Sequence, residues 1–191
     1  MSVENKYLHK YRIPSNRLPG YDYSSTGLYF VTICTKNREK YFGDVNKGVM
    51  ELSSVGKIAE EELLKTAIIR PNIDIDTWVI MPNHVHLIIG IVGAPRGANV
   101  LANIVETPRR GVSTDTRTGG KRAEWKSNSL GSIINQFKMV CTKRIRPIES
   151  EFAWQSRFHD HVIRNQKSLI NIRQYIKSNP EKWIEDEMYK I

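Results

Sequence analysis

The chain has 191 residues, 40% of them hydrophobic, which is enough for one packed domain with room for an arm or an insert. Lysine and arginine number 29 against 20 acids, a net charge of +9 that favours a polyanionic partner, nucleic acid ahead of a membrane surface. Cys34 and Cys141 stand far apart with no CxxC, the first residues lack a signal-peptide core, and no apolar run reaches bilayer length. A disulfide framework, a zinc ribbon and a membrane span are thereby excluded, and a cytoplasmic protein is expected.

Residues 1–26 hold Pro14, Pro19 and Gly20 among tyrosines and the basic Lys6, Lys10, Arg12 and Arg17, and read as a basic arm. GLYFVTICT (27–35) is β-branched and aromatic, hence a strand. KNREKYFGDVNKG reads as a turn-rich connection. Ser53 or Ser54 can cap a helix over about 55–69, with Val55, Ala59, Leu63 and Ala67 one turn apart, stopped at Pro71. DIDTWVIM and HVHLIIGIV form two strands joined at Pro82–Asn83.

Residues 93–127 lose periodicity. They carry Arg96, Arg109, Arg110, Arg117, Lys121, Arg122 and Lys126 against Glu106, Asp115 and Glu124, as expected of a mobile basic insert. A helix returns in SLGSIINQFKMVCTKRIR, with Ile133, Phe137, Val140, Cys141 and Ile145 on one face and Pro147 after it. FAWQSRFHDHVIR (152–164) predicts a strand or hairpin, SLINIRQYIKSN a helix, and PEKWIEDEMYKI a last one. The order βαββαβ predicts an α+β fold of ferredoxin or RRM type: an antiparallel sheet, helices on one face, a ligand face on the other, and a further helix at the end.

His84 and His86 are two apart on a strand, so both imidazoles share a face while Val85, Leu87 and Ile89 take the other. The pair can supply two nitrogens to one metal ion, or simply be half-exposed strand histidines. His159-Asp160-His161 repeats the spacing with a carboxylate, as a rival metal site or a polar edge. Tyr175, on a helix, has Asn179 four residues later on the same face, so a metal and a phenol could meet there. Asn179 could equally cap the next helix ahead of Pro180. Lys138, Lys143, Arg144 and Arg146 make a basic helix face suited to a nucleic-acid backbone, or to plain solvation.

MPNHVHLI, then WQSRFHDHVIRN, then a helix ending Tyr175-Ile176-Lys177-Ser178-Asn179-Pro180 together resemble the single-tyrosine HUH transposases, most closely their REP-associated branch. The resemblance covers residues 27–92 and 128–182, within one domain over 27–182; the arm, the insert and the helix end at 183–191 lie outside it. It implies a single-stranded DNA endonuclease and strand transferase acting at hairpin-associated sites. His84, His86 and Asn179 would hold Mg²⁺ or Mn²⁺, Asn179 standing where relatives often carry Gln or Glu. Tyr175 would form a 5′-phosphotyrosine link. The partner would be single-stranded DNA with a hairpin, near the bacterial nucleoid, without a membrane, for a monomer or a homodimer. Two other readings stay open on the residues alone: a non-catalytic single-stranded nucleic-acid-binding module, and a metal phosphoesterase that uses water.

Overall fold

The computed structural model of the protein describes residues 17–92 and 128–186, preceded by the backbone of two short paired strands, β1 (Lys6–Tyr7) and β2 (Lys10–Tyr11). The expected insert at 93–127, the rest of residues 1–16, and residues 187–191 lie outside the described residues. The central sheet is antiparallel throughout. Its order is β6 (Ile73–Met81), β7 (His84–Ile91), β3 (Gly27–Cys34) and β8 (His159–Ile163). The expected α+β architecture is therefore observed.

Side-chain alternation divides the sheet into two faces. Tyr29, Val31 and Ile33 of β3, Val85, Leu87 and Ile89 of β7, and Val162 of β8 enter the larger core. That face is covered by α1 (Ser54–Ile69), through Val55, Ala59 and Leu63, and by α2 (Leu130–Ile145), through Ile133, Phe137, Cys141 and Ile145. Each such aliphatic or aromatic side chain contributes roughly 1.5–3 kcal/mol by leaving water. A one-residue slip of β7 would drive both histidines into that core, so the pattern fixes the register.

The second face is not left wholly open. The tyrosine-bearing helix α3 (Gln166–Ser178) crosses it and packs Leu169 and Ile176 onto Leu28, Ile88 and Ile163, with Phe30, Val79 and Ile172 around them. Among the described residues, the three α-helices start at side-chain caps, Ser53, Ser129 and Asn165, each accepting from the backbone N–H three residues on at 3.1, 3.3 and 2.8 Å. Such caps contribute about 1 kcal/mol each.

Three segments differ from the sequence reading. The turn-rich connection contains a hairpin, β4 (Gly43–Asn46) and β5 (Val49–Leu52). Its two loop residues, Lys47 (φ 51°) and Gly48 (φ 79°), are both left-handed, as the twist of a two-residue hairpin requires. The expected helix after Pro180 is, up to residue 186, a single 3₁₀ turn at Trp183–Glu185. The end of the expected arm joins the domain: Tyr23 is buried beside Tyr21 and Tyr29, and the Arg17 guanidinium lies over the Tyr23 and Phe158 rings.

Candidate active site

The two-residue connection Pro82–Asn83 is tied down from outside the hairpin. Thr35 gives its backbone N–H and its hydroxyl to the Asn83 carbonyl, at 2.9 and 3.0 Å, and Phe42 N–H binds the Pro82 carbonyl at 3.0 Å. The Asn83 amide then fixes the first histidine. Its Nδ2 donates to the Arg38 carbonyl at 3.1 Å, which leaves Oδ1 facing His84 Nδ1 at 2.8 Å. An amide oxygen only accepts, so this pairing assigns the His84 proton to Nδ1 and the lone pair to Nε2. That Nε2 is buried and has no hydrogen-bond partner.

His86 is held by Thr32, whose Oγ1 lies 2.8 Å from Nδ1. Its other nitrogen, Nε2, lies 3.2 Å from the Tyr175 hydroxyl. The two imidazoles are 4.4 Å apart between centroids, and His84 and His86 are 0% and 2% exposed. Burial pushes the His84 pKa down to about 3, helped by the charge of Arg38. His86 is held well below the ordinary imidazole value by burial and by His84, with the Asp186 carboxylate opposing. Both rings are thus neutral near pH 7, the form that donates a lone pair to a metal ion.

A third donor comes from beyond the expected motif. His84, His86 and Asp186 each place a ligand atom within 4.8 Å of the others. Asn179 stands beside this group rather than capping a further α-helix. It follows α3 in helical geometry, is 2% exposed, and its Nδ2 donates to Asp186 Oδ2 at 2.8 Å. Its Oδ1 is buried without a partner. Two neutral imidazoles, a carboxylate and the orphaned Asn179 oxygen suit a divalent cation.

Tyr175 is 44% exposed and its ring sits 5.2 Å from His86 and edge-on to Phe30 at 6.0 Å. Its height over the sheet is set by buried Ile176 and by a two-pronged ion pair. Arg173 Nε and Nη2 donate to Asp76 Oδ2 and Oδ1 at 2.8 and 2.5 Å. The β6–β7 register shifts between Ile75 and Thr77, so Asp76 sits at a β-bulge, a device that re-aims a side chain.

The rival triad does not converge. His159 lies opposite Thr32 and His161 opposite Phe30, on the Tyr175 face, whereas Asp160 lies opposite Val31 and points the other way. Of the four basic residues expected on the helix face, three are engaged within the fold, Arg146 by donating its Nε to the Phe152 carbonyl at 3.2 Å. Lys138 is buried and gives Nζ to the Gln155 and Arg157 carbonyls at 2.6 and 3.1 Å, with burial lowering its pKa to about 8. Arg144 pairs with Glu62 at 2.5 Å and Glu61 at 2.9 Å on α1. Lys143 and Arg146 line a groove of about 860 Å³ with Met139 and Trp154. Sequence reasoning missed Asp186, Arg38 and Asp76, none of which belongs to a local motif.

Paired imidazoles and a carboxylate that could hold a metal ion, with a helix-borne phenol against one imidazole, form one cluster on an antiparallel sheet. The chain belongs to the same family as an uncharacterised protein of Haemophilus influenzae, to which it is 34% identical over 179 residues, 92% of each chain. No established family profile matches it. Its fold is that of a REP-associated tyrosine transposase whose structure was solved bound to a REP hairpin. The two share a TM-score of 0.56 and 21% identity over 90% of this chain and 74% of that one. Among the described residues, no helix is long and apolar enough to cross a membrane.

Proposed function

We propose that the protein is a single-stranded DNA endonuclease and strand transferase of transposase type, acting at hairpin-associated sites through a 5′-phosphotyrosine at Tyr175. The observation that carries this reading is the 3.2 Å approach of the Tyr175 hydroxyl to His86 Nε2 within one chain. Its ring is half exposed, with the hydroxyl against one of the three side chains that could hold an ion. The shared fold supports the reading, and so does the hairpin bound by that relative in fold.

In this reading His84, His86 and Asp186 hold a divalent ion, Mn²⁺ or Mg²⁺, with Asn179 orienting Asp186 through its amide or supplying Oδ1. When bound, the ion polarises a phosphate oxygen and offsets its developing charge. Asn83 and Thr32 keep the imidazole lone pairs aimed at the site, as outer partners of metal ligands do. The phenol, with an ordinary pKa of about 10, is a poor nucleophile in water and gains by fixed placement. Tyr175 Oη forms a bond to the scissile phosphorus while the bond from phosphorus to the 3′ oxygen breaks. The phenolic proton leaves Tyr175 and the departing oxygen becomes a 3′-hydroxyl. A 3′-hydroxyl attacking the phosphotyrosine reverses the step and rejoins DNA, so no nucleotide cofactor is required. Because the nucleophile reaches its own chain's histidines, one chain carries the whole set.

The test is cleavage of labelled hairpin oligonucleotides with Mn²⁺ or Mg²⁺ by wild type beside Tyr175→Phe. Cleavage with a protein-linked product in wild type only is expected. Cleavage that survives in Tyr175→Phe, without a linked product, would replace the tyrosine by water and make the protein a phosphoesterase. Binding without cleavage at any site would reduce it to a binding module.

A further inference from the structure

One pair of side chains on the catalytic face has no part in the chemistry above. Helix α3 lies over β6 and β7, through Arg173 on Asp76, Ile176 on Ile88 and Val79, and Tyr175 on His86. On the other half of that face, over β3 and the edge strand β8, Thr32 is buried, Phe30 is half-buried, and His159 and His161 are exposed. The register there is fixed. His86 pairs with Thr32 on one side of β3, and His159 pairs with Thr32 on the other, so the three stand in one row across the sheet. His161 stands one step along, opposite Phe30. Neighbouring strands are about 4.8 Å apart, so His159 begins roughly 10 Å from His86. Both β8 histidines are exposed, and the intervening Asp160 points to the opposite face. The floor between them and Tyr175 is the half-buried Phe30 ring and the Thr32 side chain.

Resting on the DNA-cleaving reading, we infer that His159 and His161 form a second phosphate contact, for a backbone phosphate of the same DNA strand near the one that Tyr175 attacks. Exposed imidazole N–H groups donate to phosphate oxygens, and a carboxylate turned away removes the repulsion an acid there would create. Phe30 offers the base of that nucleotide an aromatic surface. The strand therefore crosses the sheet from the histidine–tyrosine centre towards β8 and is held at two points, which fixes the angle at which the scissile phosphorus meets the phenol.

The experiment takes a pool of hairpin oligonucleotides with randomised flanks and keeps the member that forms the protein-linked product fastest. Each linkage on either side of the cut is then replaced singly by a neutral methylphosphonate. For wild type, one linkage near the cut is expected to slow adduct formation about tenfold, the scale of a lost charge-assisted hydrogen bond. The double variant His159→Ala, His161→Ala is expected to be about tenfold slower on the natural oligonucleotide and insensitive at that one linkage, with sensitivity elsewhere and melting temperature unchanged. His159→Arg is expected to retain the sensitivity. A double variant as fast as wild type, or as sensitive at every linkage, would overturn the inference and leave the cleavage reading standing. If wild type forms no adduct with any member, the same scan is read as equilibrium binding in Tyr175→Phe, and the absence of a linkage-specific difference overturns the inference there too.

Discussion

Replacing Asp76 by Ala removes the anchor that sets the height of the tyrosine helix. The Asp76 side chain is 9% exposed and takes two hydrogen bonds from Arg173, which is 32% exposed. Deleting a partner from a fully buried pair costs about 3–5 kcal/mol and from a surface pair about 0–1. Here the stranded guanidinium can turn partly into water, so the loss is expected at about 2 kcal/mol. The pKa of Asp76 gives a second check. Burial alone would raise it, but the hydrogen bonds from Arg173 and Thr77 and the Arg173 charge hold it below the ordinary carboxylate value. A depressed carboxylate stabilises the fold above its unfolded pKa and loses that contribution as pH falls through the folded value. The gap between wild type and Asp76→Ala is therefore full at pH 7 and closes below about pH 4. Urea unfolding at both pH values measures it, and Arg173→Ala added to Asp76→Ala is expected to cost little more. Because Arg173 lies two residues from Tyr175, adduct formation is also expected to fall about tenfold. A loss under about 0.5 kcal/mol at pH 7, or a gap that persists at low pH, would refute the reasoning.

The buried histidines make the metal-free protein acid-sensitive. Both fold with pKa values below 6.5, so below that pH the unfolded chain binds protons that the folded chain refuses. Stability is expected to drop by about 1.4 kcal/mol per pH unit per histidine below pH 6.5, with a smaller slope in His84→Gln; a flat profile between pH 6.5 and 5.5 would contradict the burial argument. Asp186→Ala is expected to weaken Mn²⁺ binding by calorimetry at least tenfold and Asn179→Ala by less, since Asn179 acts on Asp186 through its amide; the reverse order would return the ligand role to Asn179. Arg144→Ala is expected to leave hairpin affinity unchanged, because its guanidinium is engaged by Glu61 and Glu62, whereas Lys143→Ala weakens binding and flattens its salt dependence. Equal effects of the two variants in a filter-binding titration would restore the whole helix face as the DNA contact.

Much of the centre was legible because two of its parts are periodic. Strand alternation alone put His84 and His86 on one face, and a helix spacing of four put Tyr175 and Asn179 on one side of α3. Asp186 was not legible. It reaches the histidines only because the chain turns back after Pro180 through a 3₁₀ turn, where the sequence favoured a continuing helix. The Asp76–Arg173 pair joins residues 97 apart in sequence, and no local pattern announces it. The β4–β5 hairpin was hidden by Lys47, which occupies a left-handed position usually filled by Asn, Asp or Gly. The pairing of Arg144 was not legible either: a basic helix face shows its charges but not the acids of the neighbouring helix that meet them.

The central claim is a covalent bond between Tyr175 and DNA. Wild-type protein is incubated with Mn²⁺ and the selected hairpin oligonucleotide, denatured, digested with nuclease and protease, and its peptides are weighed by mass spectrometry. A nucleotide mass attached through phosphate to Tyr175, absent without metal and absent in His84→Ala, is the expected result. A cut oligonucleotide with every tyrosine unmodified, or the mass on another residue, would contradict the account.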